Sequence, residues 1–186
     1  MASGSGSNFE AVLEAIALGN LHAQVQVLIY NNPTAKAAER AERHGIKAIL
    51  LNHRQFDSRT ALDAEIAETL KAHDVEWVVM AGWMRIVTQT LIDAFPERMI
   101  NIHPSLLPSF KGIRAIEQAL ASGVKITGCT VHLVTLEMDS GPILMQAAVP
   151  ILADDDAASL HQRVQVQEHR ILPEAIAIAA ARSRGS

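Results

Sequence analysis

The fold and the site are both decided around Asn101-Ile102-His103-Pro104-Ser105-Leu106-Leu107-Pro108, which follows the short apolar segment Met99-Ile100. Proline cannot continue a regular element, so we predict a strand that ends here. Residues two apart on a strand point to the same face, which puts Asn101 and His103 side by side at the strand exit. Open α/β sheets bind ligands at such exits. An amide N–H and a protonated imidazole together could stabilise a developing oxyanion.

A carboxylate follows downstream, in Glu137-Met138-Asp139-Ser140-Gly141-Pro142. Asp-Ser-Gly-Pro is good turn chemistry, so Asp139 could serve only to begin a turn. A carboxylate close to an imidazole also favours its charged form. The two readings are compatible. An Asn, a His and an Asp at strand ends together suggest acyl transfer to an amine.

Outward from this stretch, apolar patterns of strand and helix alternate along the chain. We predict strands near residues 25–29, 46–51, 77–81, 99–102, 126–136 and 143–149, and helices near 7–19, 35–44, 58–70, 91–95, 113–122 and 157–181. Such alternation predicts an α/β fold with a mainly parallel, twisted sheet and helices on both faces. The last two strands are joined by a short loop and could pair antiparallel.

The chain opens with the glycine-rich segment Ser3-Gly4-Ser5-Gly6-Ser7-Asn8, directly before a helix. Glycines let a backbone approach an anion closely, and a helix start offers free N–H groups and a positive dipole end. Ser7 and Glu10 have the spacing of a capping box. A phosphate could bind there, although Gly-Ser-rich termini also occur as flexible leaders.

Composition narrows the class of protein. The chain has 186 residues, a net charge of −4 and a predicted pI near 6. Without a basic block, we expect no nucleic-acid partner. The apolar runs are too short to span a bilayer, and the first residues do not resemble a signal peptide. The one cysteine, Cys129, fits a reducing compartment, so we expect a cytoplasmic protein. No Cys/His cluster has zinc spacing, and we expect no metal.

Three motifs together resemble the glycinamide ribonucleotide formyltransferases, folate-dependent enzymes of purine synthesis. They are residues 101–108, the following Ser109-Phe110-Lys111-Gly112, and residues 138–142. The resemblance extends from about Ser3 to about Pro173. It implies a Rossmann-like formyltransferase fold. It also implies transfer of a formyl group from 10-formyltetrahydrofolate to the amine of glycinamide ribonucleotide. The expected partners are small molecules only, and the expected assembly is a monomer or weak homodimer.

The resemblance also implies roles for individual residues. His103 would be the general acid, Asn101 would polarise the formyl oxygen, and Asp139 would pair with His103 and order a water. The ribonucleotide would be bound by Gly6, Ser7, Asn8, Gln165, Val166, Gln167 and Glu168, with Glu168 the principal direct ligand. The folate would be bound by Arg59, Met84, Arg85, Ile86, Val87, Asn101, Thr135, Leu136, Glu137, Met138 and Asp139.

Several of these residues have plainer structural interpretations. Residues 82–87 read by pattern alone as a strand–helix loop with apolar anchors. Arg59 could be an exposed first-turn residue, and residues 165–168 could be a charged helix face. We interpret His132, in the middle of a predicted strand, as structural. The run Asp154-Asp155-Asp156 is expected to cap the last helix.

Other functions use the same chemistry or the same pocket. Methionyl-tRNA formyltransferase would need a further C-terminal domain and a basic surface for tRNA, and we expect neither. Formyltetrahydrofolate deformylase usually carries an N-terminal regulatory domain, for which we see no room. A binding module without catalysis would be expected to lose Asn101, His103 or Asp139, and all three are present.

The last expectation concerns the start of the sequence. A phosphate-binding turn of this kind is normally fed by a strand, so that its glycines sit at the carboxyl edge of the sheet. Only Met1-Ala2 precede the turn, and the resemblance places an apolar strand immediately upstream. We therefore expect residues 1–186 to form a single formyltransferase domain that lacks its first strand.

Overall fold

The computed structural model describes residues 1–184. Its helices are α1 (Ser7–Ala17), α2 (Ala37–Arg43), α3 (Arg59–Lys71), α4 (Gln89–Ala94), α5 (Ala115–Ser122) and α6 (Ala157–Arg184). Its strands are β1 (Leu28–Tyr30), β2 (Ala48–Leu50), β3 (Val78–Met80), β4 (Met99–His103), β5 (Ile126–Leu133) and β6 (Ile143–Pro150), and a short 3-10 helix covers His53–Gln55. None of the described helices is long and apolar enough to cross a membrane.

The strands form two sheets. One is the parallel pair β1–β2, and the other has the order β3-β4-β5-β6. β3 and β4 are parallel, whereas β4, β5 and β6 pair antiparallel. The predicted pairing of the two late strands is therefore confirmed, and so is the mixed α/β class. Within residues 1–184 no full strand joins the two sheets. Ala2 forms an isolated parallel bridge to Tyr30 on one side, and Met1 hydrogen-bonds to Val79 on the other.

Helices cover both faces of the strands, as predicted. One apolar core joins α1, α5 and α6 to β5 and β6 through residues such as Val12, Leu160 and Ile171. The other joins α3 and α4 to β3 through residues such as Ile66 and Leu91. The central strand β4 contributes to both cores. Its Ile100 and Ile102 face the first, and Met99 faces the second. The exit of β4 is thus anchored by two cores.

Several predicted boundaries are wrong in detail. The capping box does not form, because Gly6 in a left-handed conformation is the N-cap of α1 and Ser7 is already helical. Glu10 instead pairs with Arg40 and His44. Residues 25–27 are not strand. By contrast, Ser58 caps α3 as predicted, its Oγ accepting from Ala61 N at 3.0 Å. Asp156 accepts from Ser159 N at 2.8 Å in the first turn of α6.

Candidate active site

The predicted strand exit holds four polar side chains in contact, which we call the strand-exit cluster: Asn101, His103, His132 and Asp139. β4 supplies Asn101 and His103, and the antiparallel register sets His132 directly opposite Asn101. The loop after β5 supplies Asp139. The side chains of His103, His132 and Asp139 are 7%, 3% and 9% exposed, so their mutual contacts are little screened by water.

Asp139 lies between the two histidines. Its Oδ2 is 3.4 Å from His103 Nδ1, and its Oδ1 is 3.8 Å from His132 Nε2. The N–H of Gly112 donates to Oδ2 at 2.8 Å, which fixes the carboxylate from the opposite loop. Asp139 has a φ of 52°, in the left-handed region that aspartate tolerates better than most residues. The turn reading and the carboxylate reading of Asp139 therefore hold together.

His103 is bonded at both ring nitrogens. Nε2 lies 2.8 Å from the carbonyl oxygen of Phe110, and a carbonyl can only accept, so Nε2 carries a proton. Nδ1 faces the Asp139 carboxylate. The ring therefore has a hydrogen-bond donor at Nε2 and a carboxylate neighbour at Nδ1, 3.4 Å away.

His132, which the sequence analysis interprets as structural, contacts both Asn101 and Asp139 in the structure. Burial lowers the pKa of its imidazole, partly opposed by the Leu133 carbonyl and by Asp139. In the neutral ring Nδ1 donates to the Leu133 oxygen at 2.8 Å, which leaves Nε2 as an acceptor. The amide nitrogen of Asn101 lies 3.2 Å from that Nε2 and donates to it. His132 therefore orients Asn101 and leaves its second N–H free for a ligand.

The glycine turn, residues 3–8, forms the start of α1 as predicted. Gly6 has φ 72°, and a Cβ there would lie 2.8 Å from Ala37, so only glycine fits. Arg40 Nε donates to Ser5 O at 2.8 Å, and Ala37 N donates to Gly4 O at 3.2 Å. These contacts hold the turn against α2, with the free N–H groups at the start of α1 available to an anion.

The last helix meets this turn through two of the four predicted residues. Gln165 donates to Ser7 Oγ at 2.9 Å, and Asn8 Nδ2 donates to Glu168 Oε2 at 3.0 Å. Val166 is 64% exposed on another face of the helix. Gln167 accepts from Arg170 at 3.0 Å. Residues three apart share a helix face and their neighbours do not, which explains the division.

Glu168 is a buried carboxylate beside the glycine turn. Burial raises the pKa of its carboxyl group, against the opposing effects of Asn8, His161 and His103. The Asn8 Oδ1 atom is buried and has no hydrogen-bond partner within residues 1–184. A ligand donor at this position would satisfy it.

Most of the predicted folate residues lie in two loops, residues 84–87 after β3 and residues 135–139 after β5. Met84 and Ile86 are 79% and 50% exposed in one loop, and Leu136 and Met138 are 58% and 45% exposed in the other. Val87 is buried and anchors the first loop. Exposed apolar side chains beside a polar cluster are typical of a small-molecule site. Thr135 Oγ1 donates to Glu137 O at 3.1 Å and shapes the second loop.

Two of the predicted folate residues are arginines, Arg85 within the first loop and Arg59 at the start of α3. Burial raises the pKa of the Asp63 carboxyl group, whereas the N–H and side chain of Thr88 and the charges of Arg85 and Arg59 lower it. Arg59 is thus close to residues 84–88, although its side chain is exposed at the start of α3. The Arg85 Nε atom is buried without a hydrogen-bond partner in the described part of the chain. Within residues 1–184, no group of three His, Cys, Asp or Glu side chains could hold a metal.

Comparison with known proteins identifies the class. A family model described as formyl transferase matches residues 1–176. The chain therefore belongs to the formyl transferase family, a family of one-carbon transferases.

Particular relatives narrow the class further. Phosphoribosylglycinamide formyltransferase of Bacillus subtilis is 41% identical over 94% of this chain and 90% of its own. Glycinamide ribonucleotide transformylase 1 from Symbiobacterium toebii is 47% identical, with a TM-score of 0.95 over 97% of this chain and 86% of that one. The predicted family and fold are thereby confirmed. The chain also matches the human trifunctional purine biosynthetic protein adenosine-3 at 41% identity, but spans only 18% of its length.

Proposed function

We propose that this chain transfers the formyl group of 10-formyltetrahydrofolate to the amine of glycinamide ribonucleotide, a step of de novo purine synthesis. The observation that carries the proposal is the strand-exit cluster beside the glycine turn. It joins two donors and a buried carboxylate to a helix start suited to phosphate. The names of the relatives in Bacillus subtilis and Symbiobacterium toebii support the same reaction.

The two substrates occupy opposite sides of the cluster in this proposal. The phosphate binds the N–H groups of the glycine turn at Gly6, Ser7 and Asn8, and Glu168 binds the same substrate farther along. Val166 and Gln167 are retained as outer contacts only, because their side chains leave the turn. The folate lies between the loops of residues 84–87 and 135–139. The exposed apolar side chains and the unpartnered Arg85 Nε of these loops suit a ring system with polar edges. Arg59 contacts the outer end of the folate in this proposal.

The chemistry needs no covalent nucleophile. The substrate amine attacks the formyl carbon, a carbon–nitrogen bond forms, and the carbonyl oxygen takes on negative charge. Asn101 Nδ2 and His103 donate to that oxygen. The attacking nitrogen then loses a proton and the folate nitrogen gains one. The oxyanion re-forms the carbonyl as the bond between the folate nitrogen and the formyl carbon breaks. Asp139 holds His103 and orders the water that carries the proton. The folate supplies the activated formyl group, and the chain supplies position and charge.

The proposed setting is the cytoplasm, which the free and buried Cys129 fits. The proposed assembly is a monomer or weak homodimer acting on small molecules without a metal. Sedimentation at several concentrations tests the assembly directly.

The reaction is tested by mixing the protein with both substrates and following the absorbance change as tetrahydrofolate forms. We expect turnover only when the ribonucleotide is present. Water in place of the amine tests for a deformylase, and charged initiator tRNA tests for the tRNA enzyme. If the protein binds the folate but none of these acceptors gives turnover, the chain is a binding module and the proposal is contradicted.

A further inference from the structure

Ser3, in the glycine turn, is bonded directly to the loop of residues 82–87 that follows β3. The N–H of Ser3 donates to Gly82 O at 3.0 Å, and the N–H of Met84 donates to Ser3 Oγ at 2.9 Å. Gly82 has a φ of 83°, a conformation that glycine adopts at no steric cost, so the chain can turn sharply between these two contacts. The glycine turn and the loop are therefore joined through one residue by two hydrogen bonds.

The next two residues of the glycine turn are held by a different element. Ala37 N donates to Gly4 O at 3.2 Å, and Arg40 Nε donates to Ser5 O at 2.8 Å, both from α2. These contacts fix the turn to the body of the protein, whereas Ser3 connects it to the loop. A change in the position of the turn is therefore passed to the loop through Ser3.

The middle of this loop depends on Ser3 for its position. At the far end of the loop, Thr88 N donates to Asp63 Oδ2 and anchors the chain to α3. Between the two ends the loop is open, and Met84 is 79% exposed. Within residues 1–184, the bond to Ser3 Oγ is the one hydrogen bond made by the backbone of residues 83–86. Removing the Ser3 hydroxyl would leave that backbone without a hydrogen-bonded support.

We propose that Ser3 is a positioning residue that couples the two substrate sites, so that a ligand on the glycine turn strengthens the binding of a ligand on the loop. The inference rests on the proposed function, which assigns the ribonucleotide to the turn and the folate to the loop. A phosphate on the N–H groups of residues 6–8 fixes the turn, and Ser3 then fixes the backbone at Met84. The second ligand has less ordering left to do, which gives positive coupling. Coupling of binding free energies is reciprocal, so the folate must strengthen ribonucleotide binding by the same factor.

This coupling matters for a reaction between two bound ligands. The attacking amine and the formyl carbon belong to different molecules, each held by its own segment of the chain. Reacting atoms must be held roughly 3–3.5 Å apart for efficient transfer. A direct bond between the two segments, through Ser3, keeps the ligands in register with each other. Ser3 touches neither reacting atom in this proposal and acts through the backbone of the loop.

Calorimetry on the full chain tests the coupling with two ligands that cannot react together, glycinamide ribonucleotide and tetrahydrofolate, which carries no formyl group. The Kd of each ligand is measured alone and with the other ligand saturating. Ser3→Ala deletes the hydroxyl, and Ser3→Thr keeps one. Ser58→Ala is the matched control, because Ser58 Oγ also accepts a backbone N–H, that of Ala61, at 3.0 Å. Hydrogen exchange of the Met84 amide is followed in the same proteins.

In the unsubstituted chain we expect each ligand to lower the Kd of the other roughly fivefold. In Ser3→Ala the factor should fall to about twofold, because only the backbone bond from Ser3 to Gly82 remains. Ser3→Thr and Ser58→Ala should keep the full factor. The ribonucleotide alone should slow exchange of the Met84 amide in every version except Ser3→Ala.

Three results would overturn the coupling. If both ligands bind the unsubstituted chain with the same Kd alone and together, the sites are independent, and the proposed reaction still stands. If Ser3→Ala keeps the full factor, the hydroxyl does not carry the coupling. If Ser3→Ala and Ser58→Ala lose it equally, the loss reflects general destabilisation. A chain that binds neither ligand contradicts the proposed function and this inference together.

Discussion

The two sheets, which are the two halves of the strand layer, differ sharply in how they are built. β5 and β6 are eight residues each and pair at seven positions, and the strand-exit cluster sits on this antiparallel half. β1 and β2 are three residues each. The glycine turn belongs to this weaker half and relies on side chains such as Arg40 and Glu168 for its position. In the proposed reaction, proton transfer would thus take place on the longer, antiparallel half, whereas anion binding would depend on a few side-chain contacts that hold the glycine turn.

The largest effect is expected from substituting His103 or Asp139, which face each other on the antiparallel half. His103→Ala or Asp139→Asn should lower kcat by roughly 10²–10³-fold, because each removes or misplaces a donor to the developing oxyanion. Ribonucleotide affinity, measured by calorimetry, should stay nearly unchanged. His73→Ala, at the end of α3, is the matched control and should retain activity. Near-normal turnover in either site variant would end the assignment.

Removing the hydrogen bond that orients the Asn101 amide should lower kcat by a smaller factor. In His132→Phe the amide loses its acceptor, and we expect kcat to fall roughly tenfold, the worth of one hydrogen bond. His132→Gln keeps an acceptor and should recover part of the loss. If both variants behave alike, the contact between Asn101 and His132 does not orient the amide.

The contacts of Arg40 that hold the glycine turn can be removed without changing a residue of the strand-exit cluster. Arg40→Met deletes the hydrogen bond to Ser5 and the ion pair with Glu10, and should raise KM for the ribonucleotide roughly fivefold with kcat kept. Arg43→Met removes the same charge from a residue 3.6 Å from Glu10 and is the matched control. An equal rise in KM in the two variants would show a general charge effect instead.

Substituting Glu168 is expected to change ribonucleotide binding and folding stability in opposite directions. Its folded pKa is raised above 4.5, so the folded chain holds the proton longer than the unfolded chain does as pH rises. Stability should therefore fall as pH increases from about 4.5 through the folded pKa. Glu168→Gln should flatten this fall and raise the unfolding midpoint at pH 7 by a few degrees, roughly, while weakening ribonucleotide binding. Thermal melts from pH 4 to pH 8 measure it, and an unflattened profile in the variant would place the charge cost elsewhere.

The smallest expected effect is that of metal removal. Because hydrogen-bond donors supply the proposed oxyanion stabilisation, dialysis against a strong chelator should leave kcat unchanged. The control is a second dialysis with Mg²⁺ or Zn²⁺ returned. Activity that disappears with the chelator and returns with one of these ions would contradict the proposed chemistry.

The strand exit was predictable because it depends on local rules. Prolines end a strand, and alternation puts Asn101 and His103 on one face. His132 was missed because its place depends on the antiparallel register, which sets it opposite Asn101. Register comes from loop geometry and packing that the pattern of β5 does not encode. The capping box failed for a related reason. Close packing of Gly6 on Ala37 shifted the start of α1 by one residue.

The hydrogen bond from His103 Nε2 to the Phe110 carbonyl has a consequence for how the proposed site would distinguish the transition state from the ground state. The peptide oxygen of residue 110 accepts the hydrogen bond that the proposed reaction would need for the developing oxyanion. A substrate oxygen must therefore compete with the protein's own oxygen for the same proton. A ground-state carbonyl, weakly charged, gains little from that exchange, whereas a full oxyanion gains much. In the proposed reaction, the backbone of residue 110 would thus compete with the substrate oxygen in a way that favours the transition state over the ground state.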